Sequence, residues 1–242
     1  MELFYIVLFI VAFLYASVGH GGASGYLALM ALYGVAPQEM KPTALVLNLF
    51  VSVISFLQYY SGGHFKARIF IPIALASIPC AFLGGMLNVD VVVYKRMLGV
   101  LLLFPVFRFF FFKNVEDSEL KKPDLTISLA AGAVIGLLSG MIGIGGGIIL
   151  SPVLILLKWT NQKQTAAISA AFIFVNSVAG LGGMLTQGVT FTAGMWSYIA
   201  VAFAGGLLGA YIGAKKFNHE ILKYVLATVL LVAAYKLLFT GG

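Results

Sequence analysis

Two short stretches crowd glycine into otherwise apolar chain: "GHGGASG" at 19–25 and "GIGGG" at 143–147, the second followed closely by Pro152. A helix broken in an apolar medium leaves backbone groups that protein, water or ligand must satisfy. The free N–H groups that open the next half-helix present a partial positive charge, which suits an anion. Glycine removes the side chain that would keep a ligand away from those amides. Gly19, His20, Gly21, Gly22 and Ser24 in the first stretch, and Gly143, Gly145, Gly146 and Gly147 in the second, are therefore candidate binding residues. The competing reading is that these glycines only let helices pack closely. No lysine follows Gly147, so the second stretch is not a nucleotide-binding P-loop.

Neutral hydrogen-bonding side chains fall near both stretches. Thr43 and Thr165 stand near the starts of the helices that follow, where a hydroxyl caps a helix or binds a ligand. Asn48 and Asn176 lie inside apolar runs, with Ser52, Ser169 and Ser177 about a turn away. An asparagine in hydrocarbon needs a partner, which is either a substrate or another helix. His20 either donates to an anion, titrates near neutral pH, or rests neutral on a carbonyl. The acidic residues (Glu2, Glu39, Asp90, Glu116, Asp117, Glu119, Asp124 and Glu220) all fall at termini, run ends or loops. Carriers of cations keep carboxylates inside the membrane, so the missing mid-run acids point to a negatively charged substrate. With Cys80 the only cysteine, disulfides and cysteine metal clusters are excluded. Nothing in the sequence implies a metal or a cofactor.

The elements that must position these residues are membrane helices. Of 242 residues, 61% are hydrophobic and 10% charged, with a mean hydropathy of +1.04; soluble domains carry about a quarter charged residues. The first apolar run lacks a basic flank and carries Glu2, so it reads as a retained helix. The basic residues, net charge +7, sit at run ends and in short loops, which speaks for topology signals and lipid headgroups rather than nucleic acid.

The chain also repeats itself. "LYASVGHGGASGYLAL" (14–29) matches "LSGMIGIGGGIILSPV" (138–153), and "PTALVLNLF" (42–50) resembles "QTAAISAAF" (164–172). The small-residue ladder Ser77, Ala81, Gly85 falls on Gly205, Gly209, Gly213, spaced to line one helix face. The expected fold is thus an all-α polytopic membrane protein of two repeats, 1–112 and 125–242, joined by a cytoplasmic linker at 113–124. Each repeat holds a glycine-broken segment (2–35, 125–158) and three spans (42–60, 69–88, 91–112; 165–186, 191–213, 218–239). As one straight helix a broken segment would run to about 50 Å, well over a bilayer. If it crosses, lysine and arginine divide seven against eight between the two sides; if it re-enters, they divide four against eleven. The second division follows the positive-inside rule. It predicts re-entrant segments, inverted repeats and both termini outside.

The stretches "GLLSGMIGIGGGIILSPVLILL" (136–157), "TAAISAAFIFVNSVAGLGG" (165–183) and "GGLLGAYIGAKKFNHEILKYVLATVLL" (205–231) resemble the TauE/SafE sulfite exporter family, also called the four-toluene-sulfonate uptake type. The first half matches more loosely through "VGHGGASGYLALMAL" and "GGHF". Ala28 stands where Pro152 has its counterpart, and His20 and Ala23 depart from the G-x-G-G-G form, so the two cradles are expected to be unequal. The resemblance implies secondary transport, with export as the expected direction, of sulfur-containing anions such as sulfite, sulfoacetate or other organosulfonates across a bacterial inner membrane.

Two rivals remain at this level. One is an intramembrane hydrolase with Ser139 as nucleophile and His20 as base; the other is a non-transporting scaffold, which the packing ladders would serve equally well. The expected partners are a small anion and the lipid bilayer, with no nucleic acid; the ladders leave room for a homodimer. Gly145→Ala and Gly146→Ala are expected to abolish or greatly weaken transport if the glycines expose amides to an anion, and to lower stability if they are only packing contacts; helix propensity, by which alanine is better than glycine by about 1 kcal/mol, predicts a gain in stability instead.

Overall fold

A computed structural model describes residues 2–17, 23–111, 119–216 and 219–239 of the chain. Among them are ten helices and no strand: α1 (Glu2–Ser17), α2 (Ala23–Leu32), α3 (Pro37–Ser61), α4 (Ala67–Met86), α5 (Val91–Phe111), α6 (Leu125–Ile142), α7 (Gly147–Leu156), α8 (Gln162–Thr186), α9 (Ala193–Lys216) and α10 (His219–Phe239). Four of them, α3, α4, α6 and α8, are long and apolar enough to cross a membrane. The fold is an all-α polytopic bundle. Its outer surface carries large apolar side chains such as Leu3, Leu57, Leu75, Leu83 and Val134, each more than half exposed, as a lipid-facing surface requires.

The helix starts follow local chemistry. Asp124 caps α6 by accepting from Ile127 N–H at 2.9 Å, and Asp90 accepts from Val92 N–H at 2.8 Å at the start of α5. Asn161 and Gln164 form a reciprocal capping box on α8, so that helix begins three residues before the expected 165. Pro37 opens α3 at a position where a missing N–H costs nothing, five residues before the expected 42. These caps account for Asp90 and Asp124, and a third acid, Glu119, is paired with Lys158 at 3.0 Å. Mid-helix carboxylates are absent among the described residues.

The second broken segment does break, α6 ending at Ile142 and α7 starting at Gly147; of the first, α1 is described up to Ser17 and α2 from Ala23. Gly19, His20, Gly21 and Gly22 lie outside the described residues, as does the first half of the 113–124 linker. Lys121 N–H donates to Lys158 O at 2.7 Å, tying the residue just past α7 to the segment just before α6.

Small residues set the closest packing. A Cβ on Gly132, Gly136 or Gly140 of α6 would collide with the carbonyl oxygens of Ile73, Ser77 and Ala81 of α4 in turn. The contacts ascend together, so α4 and α6 run parallel with their backbones touching. Likewise a Cβ on Gly205 or Gly209 of α9 would meet the carbonyls of Phe9 and Phe13 of α1, while Tyr5 Oη lies 2.9 Å from Ser197 Oγ. That pair is parallel too. Ser77, Ala81, Gly205 and Gly209 of the ladders read from the sequence are thus helix contacts between the two halves of the chain, and Gly85 joins them by meeting Gly180 of α8.

Candidate functional site

The break at 143–147 is made by backbone that only glycine adopts readily. Gly143, Gly145 and Gly146 have φ of +83°, +76° and +75°. Gly143 closes α6 as a left-handed C-cap, its N–H donating to Ser139 O at 2.8 Å. Gly146 is the N-cap of α7 and offers no side chain, so the first amides of α7 are left uncapped by the protein.

Around this turn the fold gathers buried polar atoms that have no partner. Asn48 of α3 is 1% exposed, and neither its Nδ2 nor its Oδ1 makes a hydrogen bond. The hydroxyls of Ser139 (α6) and Ser177 (α8) and the Oδ1 of Asn176 (α8) are equally buried and equally unpartnered. Asn48, Ser177 and Ser139 lie against the glycines. A Cβ on Gly145 would lie 2.8 Å from Asn48 Nδ2 and 3.3 Å from Ser177 Oγ; one on Gly146 would lie 3.3 Å from Ser139 Cβ. Leaving such groups unpaired costs roughly 1–3 kcal/mol each. A cluster of them on a break with free amides is an arrangement that folding alone does not favour. Chemically it offers neutral donors in a sealed, low-dielectric place, with no fixed charge in the cluster itself.

The other candidates fall differently. Thr165 is engaged: its Oγ1 donates to Asn161 O at 2.7 Å and pairs with Thr160 Oγ1 at 2.7 Å. Ser169 is bonded to Ser151 Oγ at 2.8 Å, which fastens α7 to α8. Thr43, the repeat mate of Thr165, is fully buried with an unpartnered hydroxyl. Asn176 is half engaged, donating from Nδ2 to Phe172 O at 2.8 Å. Gly147 opens α7 against Ile173, and Ser24 is buried in the first turn of α2.

The positive φ values overturn one expectation. Gly145 and Gly146 stand in front of α7, not within it, so the helix propensity of alanine has no bearing on them. A side chain there is strained by the left-handed backbone and crowded by Asn48 Nδ2 at 2.8 Å or Phe172 Cε1 at 2.7 Å. Alanine should therefore destabilise at either position.

Two residues at the break were not singled out from sequence. Lys41, in the second turn of α3, runs its backbone against Gly143, whose Cβ would lie 2.9 Å from Lys41 Cα. Its ammonium sits over the ring of Tyr94, 4.8 Å from the centroid. The Tyr94 hydroxyl in turn donates to Ile142 O, the last residue of α6, at 3.1 Å. The legible signal was a second duplicated pattern, Lys41-Pro-Thr-Ala against Lys163-Gln-Thr-Ala.

The model of the sulfite exporter TauE/SafE family matches residues 4–237, nearly the whole chain. The protein belongs to the TauE/SafE family. It is 39% identical to a probable membrane transporter protein of Sinorhizobium fredii, over 97% of this chain and 96% of the relative. A probable membrane transporter protein of Methanocaldococcus jannaschii is 27% identical over 95% of this chain and 92% of its own. One of Bacillus subtilis is 24% identical over 93% of each. No solved structure matches the chain. This TauE/SafE member is thus an integral inner-membrane transporter, which sets aside both the hydrolase and the scaffold readings of Ser139 and the ladders.

Proposed function

We propose that this TauE/SafE protein carries a small sulfur-containing anion, such as sulfite, sulfoacetate or another organosulfonate, outward across the inner membrane. The anion is held at the 143–147 break by the opening amides of α7, together with Asn48 Nδ2 and the hydroxyls of Ser139 and Ser177. The observation that carries the reading is the set of buried, unpartnered polar atoms pressed against Gly145 and Gly146. A sulfonate or sulfite oxyanion supplies the acceptors that these donors lack. The free Oδ1 atoms of Asn48 and Asn176 would take a hydrogen bond from an anion that keeps one proton, or from water. Gly19, His20, Gly21, Gly22 and Ser24 would form the repeat-related cradle, with Thr43 beside it.

The same reading makes the chain two inverted repeats, 1–112 and 125–242, each opening on a re-entrant hairpin. The hydrogen bond between Lys121 and Lys158 supports a hairpin, since it returns the end of α7 to the start of α6. The two parallel pairs, α1 with α9 and α6 with α4, support the repeat: each couples the first helix of one repeat to the ladder helix of the other. A hairpin whose tip lies between the halves is a plan that lets a transporter expose one site to each side in turn.

The test is flux of labelled sulfite and sulfoacetate into liposomes containing the purified protein, with acetate and an organic cation as competitors. Saturable flux that anionic sulfur compounds compete and the cation does not is expected. Uptake of the cation, with none of any anion, would overturn the proposal.

A further inference from the structure

The candidate cluster itself holds no fixed charge, yet an anion has to leave water to reach it. Three observations bear on what draws it there. First, Lys41 and Asn48 are seven residues apart on α3, which puts them on one helix face about 10 Å apart along the axis. Second, both touch the same turn: Lys41 lies against Gly143, and Asn48 against Gly145. Third, the Lys41 ammonium rests on the Tyr94 ring and pairs with no carboxylate among the described residues. A lysine at the rim of a buried polar cluster, held by a ring face instead of an acid, keeps its positive field for something else.

Its repeat mate in the sequence is Lys163. Lys163 stands in the first turn of α8, two residues before Thr165 as Lys41 is before Thr43, and it is exposed. In the inverted plan the starts of α3 and α8 lie on opposite faces of the membrane. We infer that Lys41 is the charge-selecting residue at the outer mouth of the 143–147 site, and that Lys163 does the same for anions arriving from the cytoplasmic face. This rests on the anion and inverted-repeat readings above. A bland role also exists for Lys41, because a cation near the C-terminus of α6 offsets that helix's dipole. The two roles part on which measurement responds.

The experiment uses the full-length protein in right-side-out and inverted membrane vesicles, with labelled sulfite as probe. Lys41→Gln is expected to raise KM about tenfold for sulfite presented at the outer face, equivalent to about 1.4 kcal/mol. The maximal rate should stay within about a factor of two, because the field acts on capture and Asn48 and the amides remain. KM at the cytoplasmic face should not move. Lys163→Gln should give the mirror result, and Lys41→Arg should keep the wild-type KM. Raising ionic strength should weaken wild-type capture and leave Lys41→Gln almost unchanged. A lower melting temperature with an unaltered KM at both faces would make Lys41 a dipole partner only and overturn the inference. Equal KM changes at both faces would overturn its sidedness. If Lys41→Gln does not fold, Lys163→Gln and the salt dependence of Lys41→Arg decide the matter on the same terms. Wild-type protein that moves no anion at all would instead overturn the proposed function.

Discussion

Asn48→Leu separates a binding residue from a structural one. Leucine keeps the heavy-atom number and branching of asparagine but carries no polar atom. Asn48 is 1% exposed with both amide atoms unpaired. Removing an unsatisfied buried polar group recovers roughly 1–3 kcal/mol. The two methyls are bulkier than the atoms they replace and press on the glycine turn, which returns part of that gain through overpacking. The expected net effect is a stabilisation of about 1–2 kcal/mol. At ~2–4 °C per kcal/mol for a chain of this size, the detergent-solubilised variant should melt several degrees above wild type. It should also lose sulfite transport and the rise in melting temperature that a ligand of the folded state confers. Thermal melts with and without sulfite, followed by flux in liposomes, read both effects. A variant that is less stable than wild type would mean that Asn48 has a hydrogen-bond partner within the protein. One that is more stable but still transports would remove Asn48 from the site. Either result would refute the reasoning that links the unpartnered atoms to a substrate.

The glycine turn and the topology give further tests. Gly145→Ala should destabilise by about 2–4 kcal/mol, adding the left-handed backbone penalty to the close approach of Asn48 and Ile173; a variant at least as stable as wild type in thermal melts would contradict the turn geometry. In a Cys80→Ala background, single cysteines at Ser118 and Thr240 should label from opposite sides of intact cells with an impermeant maleimide; labelling of both from one side would exclude the inverted arrangement.

Much of the architecture was readable before any coordinates. Apolar runs of bilayer length with charges only at their ends have few outcomes in lipid but helices, and the observed helix ends fall within a few residues of the expected ones. The disagreements at α3 and α8 come from Pro37 and the Asn161–Gln164 box, local caps that extend a helix beyond its apolar run. The position of the break was also legible, because glycines spaced as 143, 145 and 146 cannot continue a helix without loss. The family followed from the same residues. What the linear order left open was which of several similar polar residues stay unpaired. Thr43 and Thr165 are repeat mates, yet Thr165 is spent on Thr160 and Asn161 while Thr43 has no partner. Ser169 is taken by Ser151 of another helix, whereas Ser177, two turns on, faces Gly145. Lys41 and Tyr94 reach the turn from α3 and α5, far from it in sequence. Helical periodicity sets the face on which a residue lies, but the direction in which that face looks depends on packing between distant segments. That packing also decides whether a buried polar atom meets a protein partner or remains free for a substrate.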